Sequence, residues 1–385
     1  MTSYLPISFA TRAARRFPSR STLLLSLLLG VAAAGCDSND PPGGVDAGAP
    51  GADAGPAVDA DPGTPAVDAG PALPQLRSCH DQTLPADLPV LDEWSNPLND
   101  VVTLGDPWHS AQDVLVATDG DAQLAGKFSY GDVSKDLEGE RVEVWIDDCG
   151  DGYRRLGEAV TDSDGRMAVS IAASDLPAIG SYQLQFRVMG DGTTASAALR
   201  VYPPGTRFIV FDIDATLTTS DSELVDQLIF DILDGDVPIP TARAEAHELV
   251  TLRFAEHGYE LIYLTGRPYL LDAITRAWLD DLGFPAGTVH LTDDVAQSWP
   301  SDSAVGDYKA EFLIDVIAQG FAIDAAYGNA SSDIYAYEQA AIAKQRTYIL
   351  GENGGTLDTV ALGEGYVAHR AEVSGEAPAA QPFVR

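Results

Sequence analysis

Two aspartates one residue apart, Asp212 and Asp214, follow directly on the apolar run Phe208-Ile209-Val210-Phe211. A continuous apolar run bounded by polar residues suits a strand buried on both faces of a parallel sheet. The carboxylates then fall at its C-terminal end, where open α/β sheets hold their ligands. Carboxylates this close repel one another unless something offsets their charge, and a divalent cation with oxygen ligands does so. A core strand closed by an Asx-type turn is the plainer reading of the same residues.

Elements further along supply the missing parts. Glu260 to Leu264 reads as a strand ending in Thr265-Gly266-Arg267-Pro268. Pro268 suits the first turn of a helix running through Leu271, Ile274 and Trp278 to Gly283, whose free N–H groups would face an anion. Val289 to Leu291 is a third strand, and Asp293 and Asp294 after it read as a loop or cap rather than a metal pair. Asp307-Tyr308-Lys309 opens a helix with Phe312, Leu313, Val316 and Ile317 inward, closed by Gly320. Ile323 to Tyr327 leads into Gly328-Asn329 and, four residues on, Asp333; Thr347 to Leu350 is a last strand. Between the Asp212 strand and Glu260 lie roughly 45 residues. They include an amphipathic helix, Glu245 to His257, with Ala246, Leu249, Val250 and Phe254 on one face and Gly258 closing it. That leaves room for a small cap or none, and hence an open site.

The run Asp212-Ile213-Asp214-Ala215-Thr216 resembles the first motif, Asp-x-Asp-x-Thr, of the haloacid dehalogenase (HAD) superfamily. With its Leu217-Thr218-Thr219-Ser220-Asp221 tail it is similar to the lipin/Nir-type LNS2 branch, which includes phosphatidate phosphatases. The resemblance implies that Asp212 attacks phosphorus and Asp214 is general acid/base. It implies that Thr265 and Lys309 hold phosphoryl oxygens, and that Asp212, Asp214, Asn329 and Asp333 bind Mg2+. Thr216, Gly266 and Arg267 would line the substrate. Ala215 stands where the family usually has Gly, so this turn is expected to avoid positive φ. Asn329 stands where the superfamily commonly has Asp, as LNS2-type sequences do. A dehalogenase lacks the second Asp that phosphomonoester chemistry needs, so that activity is set aside.

The implied fold for 206–370 is α/β, a HAD-like Rossmannoid parallel sheet. Residues 76–204 read instead as an all-β Ig-like or transthyretin-like sandwich. Val142-Glu-Val144-Trp-Ile146 and Tyr182-Gln-Leu184-Gln-Phe186 alternate, and Asp-Gly pairs at 119, 151, 164 and 191 mark turns. The Asp-rich loop at 147–151 reads as a solvated turn rather than a calcium site. Before it, residues 1–36 resemble a bacterial lipoprotein signal peptide: arginines, the apolar run Leu23 to Ala34, then Ala-Gly before Cys36, the lipidated residue. Residues 37–75 are a low-complexity Asp/Ala/Gly/Pro tether. With Cys36 lipidated, Cys79 and Cys149 remain as a candidate disulfide in an oxidising compartment. Residues 371–385 read as a disordered tail.

A formal charge of −35 argues against nucleic acid and against a polybasic grip on anionic lipid. The reading that follows is a Mg2+-dependent phosphatase (a phosphoric monoester hydrolase) with an aspartyl-phosphate intermediate, acting on a lipid phosphate such as phosphatidate. It would sit in the cell envelope, anchored to the membrane by lipid. The alternatives are a phosphatase for small soluble esters and a non-catalytic phosphatidate-binding module.

Overall fold

The computed structural model describes residues 72–80, 84–85, 88–90, 93–131, 134–147, 149–150, 152–219, 240–292 and 302–385. The signal peptide, Cys36 and most of the tether lie outside these residues. So do Asp148, Asp151, Asp293, Asp294 and the 220–239 stretch where a cap would fall.

Alternation decides the first region. Val142, Val144 and Ile146 of the Arg141–Asp147 strand are fully buried, as are Leu184, Phe186 and Val188 of Gly180–Val188. The two strands pair antiparallel with Phe186 opposite Val144. Val114–Ala117, Thr194–Tyr202 and Tyr153–Val160 complete that sheet. A second sheet of Ser110–Ala111, Ala122–Lys127 and Arg166–Ile171 closes over it, burying Leu124, Met167 and Ile171 in the shared core. The result is a β-sandwich. Arg77–Cys79 adds parallel to Gly180–Val188, and Cys79 is disulfide-bonded to Cys149, 70 residues on. Closing a loop of that length stabilises the fold by about 4 kcal/mol in the chain-entropy account.

The second region is a six-stranded, all-parallel sheet. Its order is Thr288–Thr292, Glu260–Pro268, Arg207–Phe211, Ala322–Gly328, Thr347–Leu350 and Val360–Gly363. Phe208, Ile209, Val210 and Phe211 are all fully buried, as a strand covered on both faces requires. Phe208 and Val210 meet Ala310, Leu313, Val316 and Tyr337 from the helices Asp302–Ala318 and Ser331–Gln339. Ile209 and Phe211 meet Leu249, Val250 and Trp278 from Ala246–Thr251 and Asp272–Asp281. The sandwich shares this packing: Leu115, Ala117 and Tyr202 join the Phe208 cluster.

Several expectations change here. The Glu260–Pro268 strand runs on through Pro268, and a short 3-10 turn, Tyr269–Leu271, precedes the helix at Asp272. No helix start therefore aims N–H groups from Pro268. The helix carrying Lys309 begins at Asp302, not at Asp307, so Lys309 sits two turns in. Gly306 lies inside this helix, where the Tyr335 ring packs at the place a Cβ would take. Ile317 is exposed rather than inward. The tail is ordered: Glu376 pairs with buried Arg253 and with Arg346, and Phe383 stacks on Tyr202 at 5.5 Å. One buried aromatic and one carboxylate between two guanidiniums hold a segment whose composition alone suggests none.

Two histidines make the fold acid-sensitive. His109 Nδ1 accepts from the Ser129 N–H, and burial pushes its pKa down to about 4. His290 is stacked on Phe312 at 3.8 Å, and burial lowers it to about 3. Both are neutral in the folded protein, whereas the unfolded chain takes up protons near pH 6.5. This contribution is fully present above about pH 6.5 and is lost as pH falls towards 4. By pH 5 we expect each to cost about 1–2 kcal/mol of stability, and urea unfolding followed from pH 7 to pH 5 checks it. His109→Gln should flatten part of that slope.

Candidate functional site

The chain leaves the central Arg207–Phe211 strand for one side of the sheet and later returns to the other, Ala322–Gly328. Strand order reverses there, and the residues after each strand face one crevice. Asp212 enters it with its N–H held by the Tyr327 carbonyl at 2.9 Å. Lys309 reaches over from its helix, its Nζ 2.7 Å from Asp212 Oδ1 and 2.7 Å from Asp333 Oδ1. All three side chains are buried. Asp333 Oδ2 accepts from the N–H groups of Asn329 and Ala330, both at 3.0 Å. Its side chain lies over Gly328, where an added Cβ would come within 2.6 Å of the Asp333 Cβ and 2.7 Å of its carboxylate. Thr216 donates to Asn329 Oδ1 at 3.2 Å.

Asp214 stands beside this trio and is clamped. Arg267 donates to it through Nε at 3.0 Å and Nη2 at 2.8 Å, and Thr265 through its hydroxyl at 3.2 Å. Such a two-pronged guanidinium–carboxylate pair is among the stronger side-chain contacts. Arg267 is itself buried and fixed by the Thr275 hydroxyl at 3.1 Å. Gly266 passes 3.0 Å from Val305, measured from where its Cβ would be.

Burial, then Asp333 and Asp214, push Asp212 up to about 7 against the pull of Lys309. Burial alone would lower Lys309, but the two carboxylates hold its ammonium above the usual lysine range. The site therefore combines a fixed ammonium and a fixed guanidinium with a carboxyl that burial and its like-charged neighbours hold above the usual carboxylate range.

The four residues expected for Mg2+, Asp214 through its backbone carbonyl, lie around this crevice, and each side chain has a protein partner. Lys309 lies between Asp212 and Asp333, Asp214 faces Arg267, and Asn329 takes the Thr216 hydroxyl. Among the described residues no group of three or more His, Cys, Asp or Glu is placed to hold a metal ion.

The expectation for Ala215 is reversed. It sits at φ +53°, held by its N–H to the Thr218 hydroxyl and by Arg243 Nη2 on its carbonyl at 2.7 Å. Left-handed backbone costs a Cβ-bearing residue about 1–2 kcal/mol. Ala215→Gly should accordingly raise the unfolding free energy by about 1 kcal/mol; a loss in urea unfolding would mean that the turn carries no such strain. Arg243, Asn353, bonded to the Asn329 carbonyl, and Tyr366, bonded to the Thr216 carbonyl, were not singled out by the sequence. They act on backbone from a distance, and no local pattern marks them.

A β-sandwich joined to a parallel sheet with charge-compensated carboxylates at its switch point matches two family descriptions in order. Residues 107–201 match "PITM 1-3, beta-sandwich domain" and residues 209–351 match "PITM 1-3, LNS2 domain". The chain is a beta-sandwich–LNS2 pair homologous to the PITM and retinal degeneration B proteins. It is 33% identical over 280 residues to Drosophila melanogaster "Protein retinal degeneration B", covering 70% of this chain and 21% of that protein. It is 31% identical over 271 residues to human "Membrane-associated phosphatidylinositol transfer protein 2" (69% and 19%). The figure for human "Membrane-associated phosphatidylinositol transfer protein 1" is 30% over 306 residues (77% and 23%). The chain thus spans about a fifth of the length of these relatives. Overlays on solved chains, such as the Pnkp1/Rnl/Hen1 complex (16% identity, 37% of this chain, 47% of that chain, TM-score 0.28), carry no weight for the fold.

These relatives correct the expected activity. The names of the two human relatives describe lipid transfer and membrane association, not phosphate-ester hydrolysis, and they overturn the expectation of a phosphoric monoester hydrolase.

Proposed function

We propose that this beta-sandwich–LNS2 pair recognises the phosphate headgroup of a membrane lipid, phosphatidate in the first instance, and holds it without turnover. The clamp of Arg267 and Thr265 on Asp214 carries this reading. It commits the would-be proton donor to an ion pair and gathers the Arg267 guanidinium, the Thr265 and Thr216 hydroxyls and the Lys309 ammonium around one strand-end crevice. A phosphomonoester matches such ammonium, guanidinium and hydroxyl donors. The names of the two human homologues, membrane-associated phosphatidylinositol transfer proteins, support a membrane phospholipid as the ligand class.

Two finer points belong to the same proposal. The parallel sheet is of HAD type, on the order of its four site segments. The chain is an exported lipoprotein tethered through Cys36, and the Cys79–Cys149 disulfide suits an oxidising compartment. Among the described residues no helix is long and apolar enough to cross a membrane, which says nothing of β-barrels. Mass spectrometry of the exported chain should find Cys36 at the N-terminus with an acylglyceryl adduct.

The deciding experiment floats the full chain bearing Cys36→Ser with vesicles of phosphatidylcholine containing phosphatidate, phosphatidylinositol or neither. Selective retention on phosphatidate, unchanged in EDTA and without phosphate release, is expected. Equal retention on all three compositions would overturn the proposal.

A further inference from the structure

The three most exposed large hydrophobic residues among those described lie within seven positions of one another: Leu104 (82%), Leu98 (73%) and Val101 (69%). They flank and ride on the short helix Asn99–Val102, at intervals of three residues. The segment is held from below. Asn99 is buried and donates to the Glu138 carbonyl at 3.1 Å and to Glu140 Oε2 at 3.4 Å. Ser95 binds the same buried Glu140 carboxylate through its N–H and its hydroxyl, both at 3.0 Å. A fixed backbone thus presents three aliphatic side chains that no described residue covers, which marks a contact surface.

Position says what it contacts. Just beyond Leu104, Gly105 packs on Gly131, whose N–H bonds the Asp106 carbonyl at 2.8 Å. Ser134 donates its N–H to the Gly131 carbonyl at 2.8 Å, and its hydroxyl meets the Tyr269 hydroxyl at 3.3 Å. Tyr269 lies two residues past Arg267, at the end of the sheet where the crevice opens. The segment that follows the ridge is thus linked, through the pair of strands Ser129–Tyr130 and Lys135–Asp136, to the turn just past the Arg267 strand. We propose that Leu98, Val101 and Leu104 enter the acyl region of a bilayer, so that the sandwich presents the crevice to a lipid still seated in its membrane. This rests on the headgroup reading above. The occupant is the apolar layer and not an anionic surface, because Asp100 and Asp106 flank the ridge, both exposed, and the chain carries −35 overall. Attachment should accordingly survive high salt, which screens charge.

The test uses the full chain with Cys36→Ser, with and without Leu98→Ser/Val101→Ser/Leu104→Ser. A second form carries Val101→Cys bearing an environment-sensitive fluorophore. The triple variant should lose about tenfold or more of its vesicle retention and still bind dihexanoyl phosphatidate, a soluble short-chain form, as the parent does. The fluorophore should shift to the blue on phosphatidylcholine vesicles in low and high salt. Unchanged retention, a silent fluorophore, or a shift that appears without vesicles alongside dimers in sedimentation would overturn the proposal; the last result would make a second copy the occupant. Failure of the headgroup reading shows separately, as no binding of dihexanoyl phosphatidate by the parent, while the fluorophore still reports on the ridge.

Discussion

Asp113→Ala should lower the unfolding free energy by about 3–5 kcal/mol, the cost of breaking a buried charge cluster by removing one member. Asp113 is fully buried and all its partners are charged or backbone donors. Oδ1 accepts from the Ala198 N–H at 2.7 Å and Arg276 Nη1 at 2.8 Å. Oδ2 accepts from Arg200 Nη1 at 2.8 Å and the Val289 N–H at 2.9 Å. Ala198 and Arg200 belong to the sandwich, Arg276 and Val289 to the parallel-sheet region, so one carboxylate rivets the two together. Its loss leaves two N–H groups without an acceptor and Arg200 without its ion partner, while Arg276 keeps Asp272. Burial alone would raise the Asp113 carboxyl, but Arg276, Arg200 and the two N–H groups hold it below the usual carboxylate range. Its stabilisation is thus present above the unfolded value near pH 4 and disappears only in stronger acid. Urea unfolding at pH 7 measures the effect. A loss under about 1 kcal/mol would mean that the pair contributes no more than a surface ion pair.

Lys309→Met is the second large effect, again about 3–5 kcal/mol at pH 8, because Asp212 and Asp333 then share a buried site without a cation. The sign of its pH dependence is opposite to that of Asp113. Asp212 is already pushed up to about 7, and removing Lys309 pushes it further. A carboxyl with a raised folded pKa favours the fold at low pH and loses that advantage as pH rises. The deficit of the variant should therefore shrink between pH 8 and pH 5. Adding Asp333→Asn should recover stability at pH 8 without recovering selectivity for phosphatidate vesicles. A deficit that does not change with pH would show that Lys309 acts by packing and not by charge.

How much of this was legible beforehand follows from where each signal resides. Phe208 to Phe211 announced a doubly covered strand because burial on both faces leaves a continuous apolar run, and Val142 to Ile146 announced a sandwich strand because burial on one face leaves alternation. Most residues of the crevice could be named for a similar reason: they lie at or just past the ends of strands, and strand ends in a parallel sheet converge, while Lys309 comes in from a helix. Their roles could not be read in the same way. Asp214 is an acid by sequence, but its commitment to Arg267, 53 positions away, turns a candidate proton donor into half of an ion pair. Asp113 carries no local mark, yet it binds residues 163 and 176 positions later. Ala215 was expected at negative φ from its own side chain, and the Thr218 and Arg243 bonds hold it at positive φ. Periodicity and residue type are written along a single element, so the sequence by itself determined which segments form the core strands and helices, though not where the helices after Pro268 and before Lys309 begin. Charge pairing, the protonation of Asp212, the docking of the tail and the exposure of Leu98, Val101 and Leu104 depend on distances between elements, and only the tertiary structure decided those.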